Sequence, residues 1–390
     1  MRILDLTRLY PGPLATMLMA DMGADVIKIE DVNSPDYIRT TPPFIGEISS
    51  AWLALNRSKR SLALDFKNEK GRQVFFDLVK TADIVIEGFR PGVLDKTGIG
   101  YESAKTHNSK IIYVSVTGYG QTGPRANDAG HDINYIGYTG ALDLNGTEQT
   151  GPLMPGVQMA DVAGGAYMAI IAILSALWSR DRTGEGQHID IAMTDGVLPL
   201  MALQFSQFWG LGQSLSRDEQ LLSGSLASYG TYECKDGKYV ALGALEPRFW
   251  NNFCALIDQP EWRNMSYAQG EERDEIRIEL QEIFKTKTRD EWASLAAGKD
   301  ACLTPILTMG EVKNDPQLQA REMIVEQDHP SLGKISAIGF PLKFSQTEPT
   351  ISNPAPELGE HSREILKELE YDEKRIENLF SNGVVKEPTR

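Results

Sequence analysis

The feature that most restricts the fold is a rhythm in the first half of the chain. Short β-rich runs at 2–6, 25–29, 61–65, 83–87 and 111–116 alternate with longer stretches, such as 68–81, whose apolar residues recur at helical spacing. A strand followed by a helix that packs back onto the sheet returns beside its predecessor in parallel, so this order predicts a mostly parallel, Rossmann-like sheet wrapped by helices. The expected fold class is α/β.

The rhythm changes along the chain. An apolar helix is expected from Asp161 to Arg180, with small residues at Ala163, Gly164, Gly165 and Ala166, then a strand at 188–193 and a helix at 194–211. The Gly- and Ser-rich stretch 212–228 reads as a linker. From Tyr229 the string YGTYECKDGKYVALGA reads as a hairpin turning at Asp236 and Gly237, with helices near 248–257 and 274–285. The tail is Pro-rich over 341–356, with helices expected at 360–369 and 372–380. The expected organisation is a large α/β domain over 1–211, completed by 326–390, and a smaller α+β domain over 229–325. A chain of 390 residues exceeds what one hydrophobic core usually serves, which agrees with two domains.

Charge and cysteine usage narrow the function. A formal charge of -15 sets up a field that repels polyanions, so nucleic acid and anionic membranes are not expected partners. Cys234, Cys254 and Cys302 lack metal-ligand spacing, so no metal site is expected. The longest apolar run, 165–178, is shorter than a bilayer span and reads as a buried core helix. No signal-peptide pattern opens the chain and the terminal EPTR is not an SKL-type address, which makes the cytoplasm the expected location.

Several strings could carry chemistry. Gly118, Gly120 and Gly123 have the spacing of a dinucleotide fingerprint, but Pro124 and a loop-like PRANDAG follow where a phosphate-cradling helix should open. In AGHDINYIGYTG, Gly130 and Asp132 flank an expected helix start with His131 at its mouth. The free N–H groups there could hold the charge of an enolate oxygen. Asp161 precedes two glycines and a strongly apolar helix, where partial burial would make a carboxylate a better base or would let it serve as an N-cap. Glu246 ends an expected strand before Pro247, a common place for an acidic residue. Arg57, Lys59, Arg60 and Lys67, followed by Arg90, are either a solvated basic face or a site for a phosphorylated ligand at the strand ends. No GxSxG, HExxH or Walker string occurs.

Together, PGPLATMLMADMGADVIKIE, KRSLALDFK, EGFRPGVLDKTGIG, VTGYGQTGPRANDAGHDINY, ADVAGGAYMAI, GEGQHIDIAMTDG, TYECKDGKYVALGALEPRFW, ACLTPILTMGEV and LGEHSREIL resemble the class III CoA-transferase family, and within it the α-methylacyl-CoA racemases, over essentially the whole chain. The GHDINY form and a glutamate in ALEPRFW mark the racemase branch; transferases lack that histidine and use the aspartate matched by Asp161 to form acyl anhydrides.

The resemblance implies a 1,1-proton transfer on a 2-methylacyl-CoA thioester through an enolate. His131, tuned by Glu246, and Asp161 would lie on opposite faces of the α-carbon, with the thioester oxygen held near Asp132 and Tyr135 lining the pocket. It implies CoA contacts at Leu64, Asp65, Phe66, Lys67, Gly88, Arg90 and Gly130. CoA is then part of the substrate, and no turnover cofactor is expected. It also implies an interlocked, ring-like homodimer. Asp31 and Lys96 stand where racemases carry CoA-contacting arginines, and Arg39 is expected to substitute for the first. Val157 and Ser223 also depart from the racemase pattern.

Overall fold

The computed structural model describes residues 1–388 apart from Leu215, in the expected linker, and Ser352; the end of the EPTR string lies outside the described residues. The chain forms two compact units, one from Met1–Thr139, Gly156–Leu200 and the stretch from Gln319 on, the other from Gly140–Pro155 and Met201–Leu318.

The first unit is built on six parallel strands: β1 (Arg2–Asp5), β2 (Asp25–Glu30), β3 (Arg60–Leu64), β4 (Ile84–Glu87), β5 (Ile112–Thr117) and β6 (Gln187–Ala192). Their order across the sheet is β6-β5-β4-β1-β2-β3, and Val385–Lys386 adds an antiparallel edge beside β3. Strands covered on both faces need apolar residues at nearly every position rather than alternation. Ile3, Leu4, Ile27, Leu62, Val85 and Val114 are accordingly fully buried.

Four helices of this unit matter below: α1 (Pro11–Asp21), α2 (Glu69–Val79), α3 (Asp132–Thr139) and α4 (Ala160–Thr183). Helix α2 starts where the Asn68 side chain accepts from the Lys70 amide at 2.9 Å, and it buries Val74, Phe75, Leu78 and Val79. The tail helices Ser362–Glu368 and Glu373–Ser381 bring Ile365, Leu366, Ile376 and Leu379 into the same core.

Three details differ from the sequence expectation. Helix α4 extends over 24 residues, so it is long and apolar enough by length and composition to cross a membrane. It is also not a buried core helix, because Tyr167, Ile171, Leu174 and Trp178 form an exposed stripe three to four residues apart. The helix expected over 194–211 is broken into Met193–Val197, a 3-10 turn at Leu198–Met201, and Ala202–Leu211; Pro199 cannot supply the N–H that continuation requires. An antiparallel hairpin, Ile324–His329 with Gly333–Ile338, precedes the Pro-rich tail and was not anticipated.

The second unit holds a three-stranded sheet in which Tyr229–Glu233 pairs with Tyr239–Gly243, and that strand with Leu303–Pro305. Gly237 takes a φ of 72° at the expected hairpin turn. Trp250, Phe253, Phe284 and Trp292 fill its core.

Candidate active site

The order of the sheet locates the site. The chain proceeds from β1 through β2 to β3 on one side and from β4 through β5 to β6 on the other, so the loops leaving β1 and β4 diverge. Open α/β sheets bind ligands in the crevice such divergence leaves at the carboxyl ends of the strands. A cleft of 480 Å³ opens there, walled by Thr7, Arg8, Leu9, Pro11 and Gly12 after β1, Gly88, Phe89, Arg90 and Pro91 after β4, and Gly118 and Tyr119 after β5. His131, Asn134, Tyr135 and Asp161 complete it.

Helix α3 presents His131. Its first turn folds over the histidine carbonyl, which accepts from the Asn134 amide at 2.8 Å, while the Asn134 side chain accepts from the His131 amide at 3.0 Å. This reciprocal pair fixes the backbone at the helix mouth and leaves the exposed imidazole with no hydrogen-bond partner among the described residues. The Tyr135 hydroxyl donates to the Gly130 carbonyl behind it.

Helix α4 presents Asp161 from an unusual first stretch. Residues Ala160–Tyr167 form a π-helix, a form that costs stability and clusters at functional sites. Gly164 lets this stretch approach closely, since a Cβ there would stand 2.4 Å from the Met193 carbonyl oxygen. The Asp132 carboxylate caps the helix start, accepting from the amides of Ala160 at 2.6 Å and Asp161 at 3.0 Å.

Burial, with the Asp132 charge adding to it and His131 opposing, pushes Asp161 up to about 6. A carboxylate so placed is charged at neutral pH yet close enough to neutrality to take and return a proton. Burial and the nearby Asp161 charge push Tyr135 up to about 12, so its phenol stays protonated.

Of the site residues expected from the sequence, His131, Asp161, Gly88, Arg90, Gly130 and Tyr135 line this one cleft, and Asp132 stands directly behind Asp161. The others are placed differently. Leu64 and Phe66 are buried in the core, so only their backbone can meet a ligand. Asp65 accepts from the Lys67 amide, and Lys67 pairs with Asp31 at 2.8 Å. Lys96 is exposed on the short helix Val93–Thr97. Arg39 is held by Glu30 through bonds of 2.9 and 2.7 Å, donates to the Pro356 carbonyl and lies 3.4 Å from the Trp52 ring centroid, so its fork is already engaged. Glu246 belongs to the second unit, exposed at the start of helix Pro247–Leu256.

The basic run divides: Lys67 is exposed beside Asp31 and Arg90 lines the cleft, whereas the other three are engaged within the protein. Arg57 pairs with buried Asp21 and Lys59 with buried Asp5, while Arg60 pairs with half-buried Asp25 and, at the surface, with Glu368. The glycine string behaves as a loop, with Gly120 and Gly123 at φ of 83° and 94°. A larger cavity of 680 Å³ lies in the second unit, but its Arg277 is spent on the carbonyls of Gly224 and Leu226. Among the cleft residues, Arg8, Phe89, Tyr119 and Asn134 were not singled out in the sequence. Their signal is positional, since residues just past the ends of parallel strands at a topological switch face the ligand.

Residues 1–362 match the model of CoA-transferase family III. The chain belongs to that family. It is 35% identical to the succinyl-CoA:glutarate CoA-transferase of Homo sapiens over 98% of this chain and 89% of that protein. It is 32% identical to the alpha-methylacyl-CoA racemase of Homo sapiens over 98% of this chain and 96% of that one. A crystal structure of a CAIB/BAIF family protein from Brucella suis, 33% identical, superposes with a TM-score of 0.83 over 95% of this chain and 98% of that chain. CoA-transferase family III thus contains enzymes of both kinds at similar distance from this chain, and the α/β architecture with a mostly parallel sheet is common to it and the solved structure.

Proposed function

We propose that this family member binds a 2-methylacyl-CoA thioester in the β1–β4 cleft and inverts its α-carbon by 1,1-proton transfer, with His131 and Asp161 as the two bases. The observation that carries this reading is that an imidazole and a carboxylate raised to about 6 line the same cleft. One base takes the α-proton, the thioester oxygen gathers the charge as an enolate, and the other base returns a proton to the opposite face. The opening N–H groups of α3, beside Asp132, are suited to that oxygen. Glu246 is assigned the tuning of His131 across an interlocked homodimer, and CoA is carried as part of the substrate. The exposed apolar stripe of α4 supports a partner copy. The enzyme is assigned to the cytoplasm, without nucleic-acid or membrane partners.

A second reading is favoured by the 35% identity to a CoA-transferase. Asp161 would attack the donor thioester to give a mixed anhydride and CoA thiolate; the thiolate would attack the Asp161 carbonyl and release the donor acid, the acceptor carboxylate would displace CoA from the aspartyl thioester to form a second anhydride, and the thiolate would attack the acceptor's acyl carbon to release the new thioester and free Asp161. Incubating one enantiomer of a 2-methylacyl-CoA in deuterated water separates the two. Deuterium entering the α-carbon with loss of chirality is the expected result; CoA passing to an added acid with no deuterium uptake overturns the racemase assignment in favour of the transferase.

A further inference from the structure

Arg8 stands at the end of β1, half-buried on the wall of the cleft that holds His131 and Asp161. Among the described residues it makes no ion pair; its guanidinium lies 4.6 Å from the centroid of the Phe89 ring, on the opposite lip. Asp128, the acidic residue on the same wall besides Asp161, is turned to Arg125 at 3.4 Å. A guanidinium held against an aromatic face, partly desolvated and without a counter-ion, is prepared for an anion from outside the protein.

The backbone around Arg8 is fixed with unusual thoroughness. Asp5, fully buried, accepts from the Thr7 amide at 2.9 Å, and the buried Lys28 ammonium donates to the Thr7 carbonyl. Asp36, also buried, accepts from the Leu9 amide at 3.0 Å. Leu9 itself is left-handed, with a φ of 63°, a conformation that a branched residue adopts only when its surroundings impose it. Gly12 closes the turn, and a Cβ there would fall 2.3 Å from Thr7. On the other lip, the buried Glu87 carboxylate accepts from the Phe89 amide at 2.7 Å and so steadies the ring under the guanidinium. Buried acidic and basic side chains thus hold the residues on both sides of Arg8 and the platform it rests on, and only Arg8 projects a charge into the cleft from this turn.

From this we infer that Arg8 is a built anion anchor. It takes the paired oxygens of a carboxylate at the far end of the acyl group or of a phosphate of CoA. The inference rests on the reading that the cleft binds an acyl-CoA, and holds for either chemistry at Asp161. The planar fork matches two oxygens at once, which an ammonium does not.

The test is equilibrium binding of succinyl-CoA, butyryl-CoA and butyryl-pantetheine to the full-length wild type, Arg8→Gln and Arg8→Lys, with circular dichroism to verify folding. Succinyl-CoA adds a distal carboxylate to butyryl-CoA; butyryl-pantetheine removes every phosphate. Arg8→Gln is expected to shrink one of the two affinity ratios by about tenfold or more, and Arg8→Lys to restore it only in part. Loss of the succinyl-over-butyryl preference places the anchor on the acyl carboxylate; loss of the CoA-over-pantetheine preference places it on a phosphate. Wild-type binding with both ratios untouched by Arg8→Gln overturns the anchor and leaves the acyl-CoA reading standing. Absence of wild-type binding to all three ligands overturns that reading, and the anchor with it.

Discussion

Asp132 caps the helix that carries Asp161, so the two carboxylates that open α3 and α4 are tied by a 3.0 Å bond from the Asp161 amide to Asp132 Oδ1. The same contact positions Asp161 and raises its proton affinity, because like charges resist ionising together. Asp132→Asn keeps an oxygen for the amides and removes the charge. The acid limb of the kcat/KM profile is therefore expected to move to lower pH, while burial keeps it above that of a free aspartate. A limb left where it is would show that burial alone sets the Asp161 affinity.

The titration of Asp161 itself fixes the shape of that profile. With its carboxyl pushed up to about 6, the ionised base is fully present above that pH and is lost as the pH falls through it. Proton exchange into the substrate is expected to be level from pH 7 to 8 and to drop tenfold per unit well below 6. Asp161→Asn is expected to lower inversion of the α-carbon by about a hundredfold or more. Inversion that persists at the wild-type rate in this variant would remove Asp161 from the reaction.

How much of this was legible in the sequence depended on whether the physics was local. The parallel sheet was, because strand runs like IVIE and IYVSV separated by amphipathic helices admit few topologies. His131 and Asp161 could be singled out as candidates because each is placed at a helix start beside apolar sequence, but their joint role came from the family resemblance and not from local physics. The fate of the basic run was not legible. Arg57 meets Asp21 across 36 positions, and Arg39 meets Pro356 across 317, distances at which spacing carries no signal. Arg8 was invisible for a related reason: an arginine after a strand is ordinary until the order β4-β1-β2 shows that its strand borders the switch point. The exposed face of α4 escaped because an apolar composition does not reveal how much of a helix its own chain covers.

Glu87 offers a test of stability apart from catalysis. It is buried, and burial lifts its carboxyl from 4.5 to about 7 against the opposing bonds from Ser115 and the Phe89 amide. A raised folded-state affinity favours the protonated form in the fold. That contribution is therefore complete below pH 4.5 and is lost as the pH climbs to about 7, because the unfolded chain ionises first. Glu87→Gln cannot ionise. Its stability relative to wild type is expected to rise by roughly 2–3 kcal/mol between pH 5 and pH 8. Urea unfolding midpoints at the two pH values measure this; a difference that does not grow with pH would mean Glu87 does not titrate in that range.

The apolar stripe on α4 makes a prediction about assembly. Trp178 is 69% exposed and Ile171 55%, on a helix whose other face buries Ala169, Ile173 and Ala176. Leaving such a row in water forfeits about 25 cal/mol for each square ångström of apolar surface that a partner would cover. Covering by a second copy is the arrangement the proposed interlocked dimer requires. Trp178→Asp puts a charge at the C-terminal end of the stripe, where desolvating it under a second copy without a partner would cost several kcal/mol. Light scattering is therefore expected to give a dimer for the wild type and a shift toward monomer for Trp178→Asp. The variant's circular dichroism should stay unchanged, because the side chain is exposed and its ring meets the Arg182 guanidinium one turn along the same helix, 5.5 Å from its centroid. If the wild type is itself monomeric across the micromolar range, the stripe is covered by something other than a second copy, and the shared active site that places Glu246 beside His131 falls with it.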